Sequence, residues 1–251
     1  MRTTPQHGQH GRHLLIVLAK YPRPGTVKTR LATVIGDAAA AALYEAFLAD
    51  LAPRVLPVAG RVRFDVCWLY VCADCSEHEF QRLIERLQGR VVDLDGPASS
   101  GSRTYYVGHT RPSLTEHQVG QLRWADAMGY AASVIITTDS PHLQRSTIDD
   151  AFDRLREHDL VIGPVVDGGY YLLGMRGYHP VLERVTMSTD HVAHDIETNA
   201  QACHLEVAKL DVLSDVDTVA DLQLLVRTTS STRHLCQHTW GVLQRMMLVD
   251  G

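Results

Sequence analysis

The feature that most constrains this chain is Leu14–Ala19, LLIVLA, an uninterrupted apolar run of strand length. With no polar residue alternating into it, such a strand must be covered on both faces, as in the middle of an α/β sheet. Phe64–Val71 and Ser133–Thr138 (SVIITT) are of the same kind. Between them lie helical stretches. Asp37–Leu51 is Ala-rich, and Glu77–Leu87 puts Phe80, Leu83, Ile84 and Leu87 on one stripe. Further along, a short strand is expected at Arg90–Leu94, a helix over Val119–Ala132, and a helix over Ser146–Glu157 capped by Ser146. Strands at Leu160–Gly163 and Tyr170–Leu173, a helix near Val192–Cys203, a strand at Leu205–Leu210 and a helix at Thr218–Val226 complete the pattern. Strands alternating with helices predict an α/β fold, with a mostly parallel twisted sheet and helices on both faces. Gly96–Pro112, rich in Gly, Ser and Pro without a period, reads as a loop at the rim of the site.

Bulk properties narrow the partners. The formal charge is −5 and no long Lys/Arg cluster occurs, which argues against nucleic acid. No apolar run approaches the ~20 residues of a membrane span. Residues 1–13 are polar and read as a disordered lead-in rather than a signal peptide, so the chain is expected to be cytoplasmic. Residues 14–226 form the expected core domain and 227–251 a helical tail. In that tail Cys236, Trp240, Leu243 and Met247 fall at helical spacing, as a stripe packing on its own domain or as a homodimer contact. The five cysteines are expected to be reduced thiols. Cys72 and Cys75 have two-residue spacing, but no second pair follows to complete a zinc site.

In sheets of this kind ligands sit beyond the carboxyl ends of the strands, and the unusual residues fall there. After the first strand, Lys20, Lys28 and Arg30 bring three cations onto one loop that Pro22, Pro24 and Gly25 stiffen and turn. Cations with backbone N–H groups are what a di- or triphosphate needs. The loop lacks Walker A spacing. Asp139 ends the strand Ser133–Thr138, where hard carboxylate oxygens suit Mg²⁺ or Mn²⁺, although Asp-Ser-Pro is also a common turn. Asp167-Gly168-Gly169-Tyr170 allows a backbone to approach a ligand closely, or makes a hairpin turn. Asp215 and Asp217 precede a helix with Thr218 as its cap and Asp221 in its first turn, within reach of a metal or a cationic ligand.

Taken in order, AKYPRPGTVKTRL, TTDSPHL, GPVVDGGYYLLGM, MSTDHV and DVDTVADL resemble the DUF2064 group of predicted transferases with a GT-A fold. These are relatives of the molybdenum-cofactor and 2-phospholactate nucleotidyltransferases. The resemblance spans about Leu14–Leu225 and implies a single-domain GT-A-like fold. It implies phosphate binding by the loop Lys20–Arg30, with Ala19, Lys20, Pro24, Gly25, Lys28 and Arg30 as the nucleotide-binding residues. Asp139 and Asp167 would be catalytic, Asp139, Asp215 and Asp217 would hold the metal, and Gly168, Gly169, Tyr170, Ser188 and Thr189 would line the substrate pocket. His191 could join the metal shell as a late GT-A histidine does, or be a surface residue at a helix start. Two departures stand out. The family's W-S-T is Met187-Ser188-Thr189 here, and its G-D-L-G-E-R-M is reduced to Gly108–Leu114, without the Asp and the Arg.

Because the first loop has only Gly25 to wrap a phosphate chain, the first expectation is a metal-assisted glycosyltransferase using a nucleotide-diphospho-sugar and a small-molecule acceptor. The alternatives are a nucleotidyltransferase joining an NTP to a phosphorylated small molecule, and a catalytically degenerate binding module.

Overall fold

The computed structural model describes residues 11–56, 58, 61–72, 75–89, 102–108, 113–246 and 248. The strand expected at Arg90–Leu94 and most of the N-terminal lead-in lie outside these residues. In chain order the elements are β1 (His13–Lys20), α1 (Thr29–Ile35), α2 (Asp37–Leu51), β2 (Asp65–Val71), α3 (Glu77–Leu87), β3 (Thr104–Gly108), α4 (Leu114–Ala127) and β4 (Ala132–Thr137). There follow α5 (Arg145–Arg154), β5 (Leu160–Pro164), β6 (Tyr170–Arg176), α6 (Val192–Ala202), β7 (Val207–Lys209), α7 (Val219–Thr229) and α8 (Gln237–Arg245).

The strands form one sheet in the order β3-β2-β1-β4-β6-β5-β7. β1 pairs in parallel with β2 and with β4, and Leu14, Leu15, Ile16 and Val17 are fully buried between the two helical layers. One layer packs α2, α3, α5, α7 and α8 onto Leu15 and Val17 through residues such as Phe47, Phe80, Phe152, Leu225 and Leu243. The other packs α4 and α6 onto Leu14 and Ile16 through Leu122 and Ile196. Truncating one of these side chains to Ala would cost about 2–5 kcal/mol.

Four expectations change. β6 runs antiparallel to both β4 and β5. Only Val165–Gly169 joins β5 to β6, and a parallel connection needs a crossover of about a dozen residues, so a hairpin is the one pairing available. β3 occupies part of the expected rim loop, because Thr104-Tyr105-Tyr106-Val107 is a β-branched and aromatic stretch that fits a half-buried edge. α4 begins five residues before the expected Val119, capped by Ser113, whose side chain accepts from the Glu116 N–H. α5 has no side-chain cap from Ser146. It starts at Arg145, whose guanidinium donates to Asp149 and to the carbonyls of Leu56 and Val62.

The tail helix α8 lies along α2. Its first N–H groups, those of His238 and Thr239, and the Thr239 hydroxyl donate to the buried Asp50 carboxylate. Cys236, Trp240 and Leu243 of the apolar stripe are covered by the chain's own core. Cys72 and Cys75 are joined as a disulfide, which corrects the expectation of five reduced thiols. Their two-residue spacing after β2 brings the Cα atoms to 5.7 Å, and Cys67, Cys203 and Cys236 are free. No helix among the described residues is long and apolar enough to cross a membrane.

Candidate active site

The chain leaves β1 for β2 on one side, while β4 enters on its other side, so the sheet's switch point lies between β1 and β4. Crevices in such sheets open at the carboxyl ends there. A cleft of about 290 Å³ is found at that place, lined by Ala19, Lys20, Lys28, Arg30, Asp139 and Asp217 among others.

At its floor is Lys28. The residue caps α1 in the left-handed region, φ 48°, ψ 42°, a conformation that non-glycine residues rarely adopt. Its ammonium donates to the Asp139 carboxylate and to Asp217 Oδ1, the latter at 2.8 Å. The Lys28 side chain is 3% exposed, whereas those of Asp139 and Asp217 are 39% and 41% exposed. The buried cation is thus screened from solvent by two acids whose outer surfaces remain accessible. Burial pulls the ammonium's pKa down, but Asp139 and then Asp217 more than offset it and hold the group above the ordinary lysine value. Burial would raise the Asp217 carboxyl, yet Lys28, Arg30 and Lys20 together bring it below the usual carboxylate range.

The two acids converge because their backbones are tied together. The Val216 N–H donates to the Asp139 carbonyl at 3.0 Å, and the Ser140 hydroxyl to the Ser214 carbonyl at 3.0 Å. Thr218 and Asp221 form a reciprocal cap on α7, as the sequence indicated, and this occupies Asp221 and leaves the Asp217 side chain to Lys28. Asp215 is pushed up to about 6 by burial and by the charges of Asp167, Asp217 and Asp139. Among the described residues, however, no set of three His, Cys, Asp or Glu side chains converges as a metal cage. Of the expected trio, Asp139 and Asp217 meet around Lys28, and Asp215 lies near enough for the charges of both to act on it.

The other expected residues divide. Pro24 and Gly25 are exposed and shape the loop: Gly25 has φ 78°, and the Thr26 N–H closes the turn on the Arg23 carbonyl. Ser188 lines the cleft, also with a left-handed backbone, φ 65°. Its neighbour Thr189 turns its hydroxyl to the Thr186 carbonyl. Asp167-Gly168-Gly169 is the β5–β6 hairpin turn, with Asp167 exposed and accepting from the Gly169 N–H. The hairpin backs the Ser188 segment instead of lining the cleft. A Cβ on Gly168 would meet the Asp190 carbonyl oxygen at 1.8 Å, and the Ala193 N–H donates to the Gly168 carbonyl. Tyr170 is buried and donates its hydroxyl to Gln118 on α4. His191 is a surface residue facing Asp190 and Asp195.

Two wall residues had no sequence signal of their own. Tyr44 of α2, buried, accepts from the Lys20 N–H at 2.9 Å and meets the Thr138 hydroxyl at 2.7 Å. His117 of α4 is 5% exposed on the cleft wall. Only its position one turn into α4 marks it, and that helix starts at Leu114, ahead of the expected Val119.

Residues 74–189 match the model of the family described as an uncharacterized protein conserved in bacteria, DUF2064, which is the family that the motifs resemble. The 3-phospho-D-glycerate guanylyltransferase of Phenylobacterium zucineum (strain HLK1) is 31% identical over 155 residues, or 61% of this chain and 62% of that protein's own length. A crystal structure of a candidate nucleotide-diphospho-sugar transferase from Desulfovibrio desulfuricans G20 superposes with a TM-score of 0.75 at 28% identity, covering 93% of this chain and 97% of that one. The 4-diphosphocytidyl-2C-methyl-D-erythritol synthase of Anaerococcus prevotii DSM 20548 shares the fold at 10% identity, with a TM-score of 0.53 over 88% of this chain and 97% of that one. The chain therefore has the GT-A-like fold of nucleotide-diphospho-sugar transferases.

Proposed function

We propose that the chain is a nucleotidyltransferase that joins a nucleoside triphosphate to a phosphorylated small molecule. An oxygen of the acceptor phosphate attacks the α-phosphorus, the bond from that phosphorus to the β-phosphate oxygen breaks, and pyrophosphate leaves. The observation that carries this reading is the Lys28–Asp139–Asp217 cluster at the floor of a cleft whose rim bears Lys20 and Arg30. The three cations of Lys20–Arg30 would bind the triphosphate and draw off the charge that builds on the departing pyrophosphate. Asp139 and Asp217 offer hard oxygens on exposed faces. A pair of carboxylates completed by substrate phosphates is the donor set that Mg²⁺ favours over an all-protein cage. When bound, such an ion neutralises phosphate charge. Ser188 and Thr189, backed by the Asp167–Tyr170 hairpin, would form the acceptor side.

The single glycine of the first loop had favoured sugar transfer, and that argument loses its force at Lys28. A left-handed turn is what glycine usually supplies, and here both Gly25 and Lys28 supply one. The guanylyltransferase relative supports nucleotidyl transfer directly and makes GTP with 3-phospho-D-glycerate the first pair to test. Glycosyl transfer is the second reading, favoured by the Desulfovibrio relative's name. The experiment incubates the protein with Mg²⁺, each NTP and a panel of phosphorylated acids and sugars. Pyrophosphate release that depends on the acceptor is the expected result. Release of a nucleoside diphosphate from a nucleotide-sugar, with no pyrophosphate from any NTP, would replace nucleotidyl by glycosyl transfer.

A further inference from the structure

We infer that Lys28 is the resident counter-ion of the Asp139–Asp217 pair and keeps a divalent cation off that pair until phosphate draws the ammonium away. The inference rests on the reading of the two acids as the metal-holding pair. The Lys28 ammonium touches one oxygen, Oδ1, of each carboxylate and fills the space between them. Two like charges cannot share that space, so ammonium and metal compete for the pair. With Lys28 in place, two negative charges are already half neutralised, and a metal arriving alone gains little. The ammonium has somewhere to go. Its Nζ lies over the rings of Tyr44 and Phe47, 5.9 Å and 5.8 Å from their centroids, in the same cleft that Lys20 and Arg30 line. A triphosphate entering there offers Lys28 a new anionic partner and frees both Oδ1 atoms at once. Metal and nucleotide then load as a unit, and the unliganded site does not scavenge free divalent ions. The strained backbone at Lys28 fits this role, since it fixes where the stem begins while leaving the side chain's own torsions to choose between the acids and the phosphate.

The test measures Mn²⁺ alone binding to the full chain in chelator-free buffer, by calorimetry or by the resonance signal of free Mn²⁺, with no nucleotide present. Lys28→Met should bind Mn²⁺ at least ten-fold more tightly than the unmodified protein, and Lys28→Gln should do the same, which covers a failure of either variant to fold. Lys28→Arg keeps the charge and should stay near the unmodified affinity. Equal or weaker Mn²⁺ binding by the neutral variants overturns the inference. Adding Asp139→Asn to Lys28→Met separates the two ideas. If that change abolishes Mn²⁺ binding while Lys28→Met alone shows no gain, the metal-holding pair stands and the counter-ion role falls. If it leaves tight Mn²⁺ binding intact, the ion sits elsewhere and both fall.

Discussion

Tyr44→Phe removes one oxygen from the wall of the cleft, and its consequence can be worked from the hydrogen bonds. The Thr138 hydroxyl donates to the Leu18 carbonyl at 3.0 Å, so it accepts from the Tyr44 hydroxyl, which in turn accepts from the Lys20 N–H. One directed chain thus runs from the end of β1, through α2, to the residue before Asp139. Removing its middle leaves the Lys20 N–H without its acceptor, while Thr138 keeps its bond to Leu18. A fully buried donor left unpaired costs about 1–3 kcal/mol; this bond is part-buried, so the expected loss of stability lies at the lower end of that range. Urea denaturation should show a lower midpoint at unchanged slope. The double variant with Thr138→Val should show a coupling of about 0.5–3 kcal/mol, because both residues belong to one network. Lys20 loses its anchor, so Mn²⁺-dependent nucleotide affinity should fall several-fold as well. A Tyr44→Phe protein within about 0.5 kcal/mol of the original, additive with Thr138→Val, would refute the relay.

Three further substitutions test other parts of the structure. Gly168→Ala places a methyl against the Asp190 carbonyl at a residue with φ 91°, and should cost roughly 2–5 kcal/mol in chemical denaturation; a loss below about 1 kcal/mol would mean that the hairpin is not pinned there. Asp50→Ala removes the acceptor for the first N–H groups of α8, so limited proteolysis should cut between α7 and α8 well before the core is lost, and equal resistance would contradict the docking. The third concerns His142, whose pKa is lowered to about 4 by burial and then by Arg54. Its unfolded value is near 6.5, so between pH 6.5 and 4 the unfolded chain takes up the extra proton and stability falls as pH falls. The loss is at most about 3 kcal/mol, less for a partly exposed ring. His142→Gln should flatten that part of the stability–pH curve, and an unchanged slope would show that another group is responsible.

Much of this was legible in the sequence because it depended on local rules. LLIVLA could only be a strand covered on both faces, and Thr218 with Asp221 is a cap whatever surrounds it. The convergence of Asp139 with Asp217 was legible only as a family resemblance, because it depends on the Val216 N–H reaching the Asp139 carbonyl across 77 residues of chain (216 − 139). The strand β3 was hidden inside a Gly- and Ser-rich stretch, where composition outweighed a short aromatic run. Tyr44 was hidden for the opposite reason. On an Ala-rich helix it reads as one more apolar position, and nothing in its neighbours shows that its hydroxyl reaches two strand ends.

Counting glycines is a weak guide to the chemistry because it treats a backbone conformation as a residue type. The loop after β1 needs left-handed turns to bring its donors round to the cleft. One of them falls on the residue that must also deliver a cation to the floor. Glycine at position 28 would relieve the strain and remove the ammonium, whereas lysine keeps the ammonium and bears a strain of order 1–3 kcal/mol. That strain is offset locally by the two carboxylates, since each hydrogen bond to a charged group contributes about 1.5–3 kcal/mol. It follows that the turn and the acid pair are energetically coupled. Replacing both acids by Asn should loosen the backbone around Lys28, and amide hydrogen exchange at Thr29–Leu31 should then rise although neither acid touches those amides. Unchanged exchange in that double variant would show that the left-handed turn holds itself, independently of the site it serves.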